Sequence, residues 1–138
     1  MLLIWNLTIM LLSLDNMADY KVIIAGGRYF NNYELLQERC DNYLSDKIAS
    51  HNVTVISGHA TGADALGERY AKEHCLNCEQ HPADWNKHGC AAGPIRNAEM
   101  ADIADALIAF WDGKSRGTAS MIELAKSKGL KVAVVRYS

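Results

Sequence analysis

The sequence predicts a single α/β domain in three layers, with a five-stranded parallel sheet of order 3-2-1-4-5 between two layers of helices. Short apolar runs rich in β-branched residues alternate with segments of helical periodicity. Most of these runs stop at glycine-bearing turns, as buried strands do. The chain has 138 residues, enough for one core and too few for two comfortable domains.

Strand one is Lys21 to Ala25, halted by Gly26 and Gly27. From Tyr33 to Ile48 the positions Leu35, Leu36, Cys40, Tyr43, Leu44 and Ile48 recur at helical spacing, and Asn31 or Asn32 can cap that helix. Strand two, Val53 to Ile56, halts at Ser57-Gly58, and a helix opens around Thr61 to Asp64 and runs to about His74. Cys78 to His81 reads as a short third strand, and Pro82 to Gly93 as an irregular loop. Pro94 suits the first turn of the next helix, where its missing N–H costs nothing. Strand four is Ala106 to Phe110; a glycine-bearing loop then reaches a helix beginning near Thr118 and ended by Gly129. Lys131 to Val135 is the last strand. Right-handed crossovers then make the order 3-2-1-4-5, a Rossmann-like domain. In such a sheet, ligands bind beyond the carboxyl ends of the strands where the order reverses, here between strands one and four.

Composition narrows the function classes. Apolar residues make up 49% and charged residues 22%, ordinary globular usage. Fourteen basic against sixteen acidic side chains leave a net charge of -2, so no overall cationic field draws the chain to nucleic acid or an anionic membrane. Cys40, Cys75, Cys78 and Cys90 follow no recognisable export signal, and reduced thiols in a cytoplasmic protein are expected. Residues 1–16 lack a basic start and a cleavage site, and their apolar stretch is short of the about 20 residues of a membrane helix. Two readings of them stand: an upstream extension before a natural start at Met17, or an element covering an apolar surface. His74, Cys75, Cys78, His81, His88 and Cys90 raise zinc, but the second cysteine pair of a zinc ribbon is missing, and no metal or other cofactor is expected.

Three loops carry candidate chemistry. In Ser57-Gly58-His59-Ala60-Thr61-Gly62-Ala63-Asp64 the glycines let backbone approach a ligand while helix N–H groups point at it, and a phosphate is the natural guest. Ser57 and Thr61 add hydroxyls; Asp64 either caps the helix or holds a ribose hydroxyl. Asp112-Gly113-Lys114-Ser115-Arg116-Gly117-Thr118 repeats that logic after strand four. It is no Walker A loop, since Ile108 stands where that motif needs glycine, and Gly26-Gly27-Arg28 lacks the dinucleotide spacing. In Gly93-Pro94-Ile95-Arg96-Asn97, an arginine in a first helical turn runs against the helix dipole unless an anion is near. Its planar fork suits phosphate; an ion pair with Glu99 or Glu123 is the alternative. Trp85 and Trp111 either stack on a base or ribose or pin their own loops.

Taken in order, Gly26-Gly27-Arg28-Tyr29-Phe30, the 57–64 segment, Arg96-Asn97-Ala98-Glu99-Met100, and Phe110-Trp111-Asp112-Gly113 with Gly117-Thr118 resemble the SLOG superfamily. The similarity is to its small YspA or cpYpsA-related branch and covers about residues 20 to 137. It implies a Rossmann-like domain binding nucleotides or nucleotide-derived ligands, and by the habit of relatives a homodimer. Those relatives include phosphoribohydrolases, which cleave a base from a nucleoside monophosphate, the DNA-processing protein DprA, and nucleotide-sensing domains. The phosphoribohydrolases carry Pro-Gly-Gly-x-Gly-Thr-x-x-Glu; here Gly117-Thr118 matches, but Met121 stands in place of the glutamate, which counts against hydrolase chemistry.

The leading expectation is a binding domain, sensor or sequestering, with Gly58, Gly62, Gly117, Thr118 and Arg96 around a phosphate, and Gly26, Gly27, Arg28, His59, Asn97, Gly113 and Ser115 completing the site. The alternative is a nucleoside-phosphate N-glycosidase using Asp112, the first choice, or Glu99 as acid or base, Asp64 being the third carboxylate available. DNA binding is disfavoured by the acidic balance.

Overall fold

A computed structural model describes residues 17–138; the expectations for residues 1–16 lie outside the described residues. Five strands, β1 (Asp19–Gly26), β2 (Asn52–Ser57), β3 (Asn77–Gln80), β4 (Ala106–Trp111) and β5 (Lys131–Arg136), form one parallel sheet of order β3-β2-β1-β4-β5. The expected order is the observed one. Among the described residues, four helices of more than two turns accompany it: α1 (Tyr33–Ser50), α2 (Ala63–Glu73), α3 (Ala92–Ile103) and α4 (Arg116–Ser127). Among the described residues, no helix is long and apolar enough to cross a membrane.

Strand periodicity divides the core into two layers. Val22 and Ile24 of β1, Val53 and Val55 of β2, and Ile108 and Phe110 of β4 pack with Leu36, Cys40 and Leu44 of α1 and Tyr70 and Ala71 of α2. The alternate residues Ile23, Ala25, Ile56, Leu107 and Ala109 pack with Met100 and Ala101 of α3 and Met121, Ile122 and Ala125 of α4. Strands buried on both faces have no polar alternation, which is why β1 and β4 read as unbroken apolar runs. β3, Asn-Cys-Glu-Gln, has almost no apolar content; it is an edge strand held by its pairing with β2 from Thr54↔Asn77 to Ser57↔Gln80.

Local chemistry sets the ends. Asn32 caps α1, its Oδ1 accepting from the Leu35 N–H at 3.0 Å. The stretch read as an irregular loop holds a single α-helical turn at Trp85–His88 and a 3-10 turn at Gly89–Ala91, running straight into α3. Its periodicity was hidden because it lies on the surface with no buried side chain until Ala92. Asp84 caps that turn, accepting from the Lys87 N–H at 3.1 Å. α4 begins at Arg116, earlier than Thr118, so Gly117 and Thr118 lie inside its first turn.

The order places β1 between β2 and β4, with Gly26 level with Phe110. Chains leaving the carboxyl ends of β1 and β4 therefore diverge to opposite faces and leave a crevice between them.

Candidate functional site

A cleft of about 590 Å³ occupies that crevice. Ala25, Met100 and Met121 form its apolar base. Gly26, Gly27 and Arg28 enter it from the loop after β1, Arg96 and Asn97 from α3, and Asp112, Ser115, Gly117 and Thr118 from the loop after β4 and the start of α4.

The α4 end is built to receive charge. Ser115 occupies the N-cap position, yet no side chain caps the helix; its hydroxyl lies 3.3 Å from that of Thr118 instead. The first turn of a helix has N–H groups without intrahelical acceptors and the positive end of the dipole, so an anion over Gly117 and Thr118 is favoured. Asp112 shapes the approach: its Oδ1 accepts from the Lys114 and Ser115 N–H groups, each at 2.8 Å. Those bonds from Ser115 and Lys114 hold its carboxyl below the usual range.

Arg96 is half-buried across the cleft. Its Nη1 donates to the Gly58 carbonyl at 2.5 Å and its Nε to Asn97 Oδ1 at 2.9 Å; among the described residues it makes no ion pair with Glu99 or Glu123. Gly58 is required for this approach: a Cβ there would lie 2.5 Å from Arg96 Nη1 and 2.8 Å from Asp64 Oδ2. Burial lowers the Arg96 pKa, the Asp64 carboxylate opposes that, and the Arg28 charge adds to it. Arg28 and Arg96 thus bring two positive charges to one cleft, an arrangement that an anion would relieve.

Asp64 does not cap α2. Gly62 holds the N-cap position, and Asp64 Oδ2 reaches back to accept from the Ala60 N–H at 3.2 Å. Its carboxyl is buried in the cleft wall, and that burial raises its pKa; the Ala60 bond and the Arg96 and Arg28 charges pull the other way. Asp64 is therefore the carboxylate of this cleft best able to carry a proton. Asp112, whose pKa is lowered, is a poor proton donor, and Glu99 is exposed and does not line this cleft.

Other expected residues are placed elsewhere. Ser57 is buried and donates to Glu68 Oε2 at 2.7 Å. Gly62, at φ +78, lies where a Cβ would strike the Gly27 and Arg28 backbone, and the Ala63 N–H donates to the Gly27 carbonyl at 3.1 Å; this glycine docks one loop onto another. Gly113 turns the chain beneath Arg136. Trp111 pins its loop: its Nε1 donates to the Ser115 carbonyl at 3.0 Å, and the Arg136 guanidinium lies 5.2 Å from its ring centroid. Gly58, His59, Thr61 and Trp85 line a second cavity of about 300 Å³.

Sequence reasoning missed Glu68, which accepts from Ser57, His59 and Gln80, and Tyr137 and Ser138, which border the main cleft. The spacing of Asp64 and Glu68, one helical turn apart on α2, was a usable signal for the first. No local pattern marks the other two. Among the described residues no three His, Cys, Asp or Glu side chains group as metal ligands; His74 and His81 pair with Asp41 and Glu79.

Fold and cleft define a Rossmann-like α/β domain with a polar crevice at its topological switch point. The chain belongs to the YspA, cpYpsA-related SLOG family, whose sequence profile matches residues 20–88. It is similar to the Gene 61 protein of Mycobacterium phage D29, with 32% identity over 120 residues, covering 81% of this chain and 93% of that protein. Its fold is also that of DNA processing protein A from Helicobacter pylori, at TM-score 0.59 and 18% identity over 91% of this chain and 68% of the other. That structure was described for its single-stranded DNA binding mode.

Proposed function

We propose that this domain binds a nucleotide or nucleotide-derived phosphorylated small molecule, as a sensor or sequestering domain. One observation carries the reading: the uncapped start of α4 and the Arg96 and Arg28 guanidinium groups border the same cleft at the switch point. A phosphate there receives helix N–H groups on one side and charge-assisted bonds on the other. The acidic balance of the chain suits a small enclosed anion better than an extended nucleic-acid backbone, which draws on many cations.

A second reading has its own support. Asp64 is a buried carboxyl of raised pKa in the cleft wall, the property a general acid needs to protonate a departing base. An N-glycosidase would then use Asp64, in place of Asp112 or Glu99. Incubation with nucleoside monophosphates separates the two, since released base identifies the enzyme and bound, intact ligand the binder.

Arg96→Ala tests the phosphate site itself. A charge-assisted hydrogen bond contributes about 1.5 to 3 kcal/mol, so a nucleoside monophosphate should bind roughly ten- to hundredfold more weakly by calorimetric titration. The matching nucleoside should lose almost nothing. Equal losses for both would make Arg96 a general shaper of the pocket, and no loss for either would remove the phosphate from this cleft.

A further inference from the structure

The second cavity shares Arg28, Ala60 and Arg96 with the main cleft, so the two adjoin at the two arginines. Its walls differ from those of the main cleft. Pro82, Ala83 and Trp85 supply apolar and aromatic surface. Trp85 is 51% exposed, on a helical turn fixed by the Asp84 cap, and its Cη2 packs above Gly93, where a Cβ would come within 3.6 Å. The indole is thus held from below with much of its surface open.

His59 lines the same cavity, and its backbone is left-handed at φ +58, a conformation that costs a non-glycine residue energy and needs surrounding support. Glu68 supplies that support. Its Oε2 lies 2.9 Å from His59 Nδ1 and accepts the Ser57 hydroxyl at 2.7 Å, while Oε1 accepts from Gln80 Nε2 at 2.6 Å. Burial pushes the Glu68 carboxyl up, but these three bonds outweigh it and hold the group below its usual pKa. An ionised carboxylate can only accept, so Nδ1 carries its proton toward Glu68 and Nε2 is the ring nitrogen left for a ligand. Nε2 has no hydrogen-bond partner among the described residues. The order of contacts does not make a nucleophilic triad, because the serine hydroxyl meets the carboxylate and not the imidazole.

We infer that the second cavity is the nucleobase subsite: Trp85 covers the face of the ring, His59 Nε2 hydrogen-bonds its edge, and Glu68 positions His59. The phosphate of the same ligand occupies the main cleft, so the inference rests on the phosphate reading above. It assigns the substrate class as an intact nucleotide, ring and phosphate together, over a sugar phosphate alone.

The test is titration of the full chain with AMP, with ribose 5-phosphate read by its competition against AMP. Stacking on an aromatic side chain typically contributes about 1–3 kcal/mol, so Trp85→Ala should weaken AMP roughly tenfold or more. His59→Ala should weaken AMP severalfold, and Trp85→Phe should keep most of the affinity. Neither alanine variant should alter the inhibition constant of ribose 5-phosphate. AMP should also quench tryptophan fluorescence in the wild type and lose that quenching in Trp85→Phe. If Arg96→Ala weakens AMP while Trp85→Ala and His59→Ala leave it unchanged, the base lies elsewhere and only the phosphate reading survives. If wild type binds neither ligand, the phosphate reading falls and takes this one with it.

Discussion

Asp64 and Asp112 show how two carboxylates in one cleft acquire opposite characters. Burial raises the pKa of Asp64; bonds from the Ser115 and Lys114 N–H groups lower that of Asp112. For Asp64, a folded-state pKa above the unfolded value means stability is fully present below about pH 3.9 and is lost as pH rises through the folded-state value. Asp64→Asn keeps an acceptor for the Ala60 N–H and removes that loss. We expect the variant to melt above wild type at pH 7 and level with it at pH 3.5 in a calorimetric comparison. An Asp64→Asn protein less stable at pH 7 would show that the favourable Arg96 charge outweighs its burial. Any base release measured with nucleoside monophosphates should disappear in the same variant.

At the scale of elements, the loop from β4 to α4 does the positioning. Asp112 fixes it by accepting two backbone N–H groups, and Trp111 ties it again at the Ser115 carbonyl. The free N–H groups of the α4 first turn are thereby aimed before any ligand arrives, which reduces the ordering cost of binding. Asp112→Asn retains the accepting oxygen and should bind nucleotide nearly as wild type does. Asp112→Ala releases the loop and should weaken binding roughly tenfold, with little change in the melting temperature. Titration of both variants tests this positioning role, and base release measured beside it tests a catalytic one, since a proton-transferring aspartate would lose turnover equally as asparagine and as alanine.

Across the whole molecule, the parallel sheet of β1 to β5 is the frame, and the crevice exists because helices leave β1 and β4 toward opposite faces. The likeness to DNA processing protein A is a likeness of this frame, on which ligand sites of many kinds are carried. Binding to the folded state alone stabilises it by about 2.7 kcal/mol when ligand is a hundredfold above its Kd. For a domain of this size that is a rise of roughly 10 °C in melting temperature. A thermal-shift series with nucleoside monophosphates, nucleosides and sugar phosphates should show this rise for the phosphorylated nucleotides and little for the nucleosides. Equal shifts for nucleotide and nucleoside would contradict a site organised around phosphate.

Sheet order and strand identity were legible in the chain because a strand buried on both faces must be apolar throughout, and Val22 to Ala25 and Ala106 to Phe110 are. The motif loops were legible because glycine is needed where backbones meet. Which of their residues face the cleft was decided only by tertiary structure. Gly58 and Arg96 are 38 positions apart, and no local pattern tells that the carbonyl of one receives the guanidinium of the other. Ser57, Gly62, Trp111 and Gly113, although within the motifs, are occupied with protein contacts, while Glu68, outside them, anchors His59. Periodicity records which side of an element is buried, and burial is a property of single positions. A site is a convergence of side chains from several elements, and the loops that bring them together leave no periodic trace in the sequence.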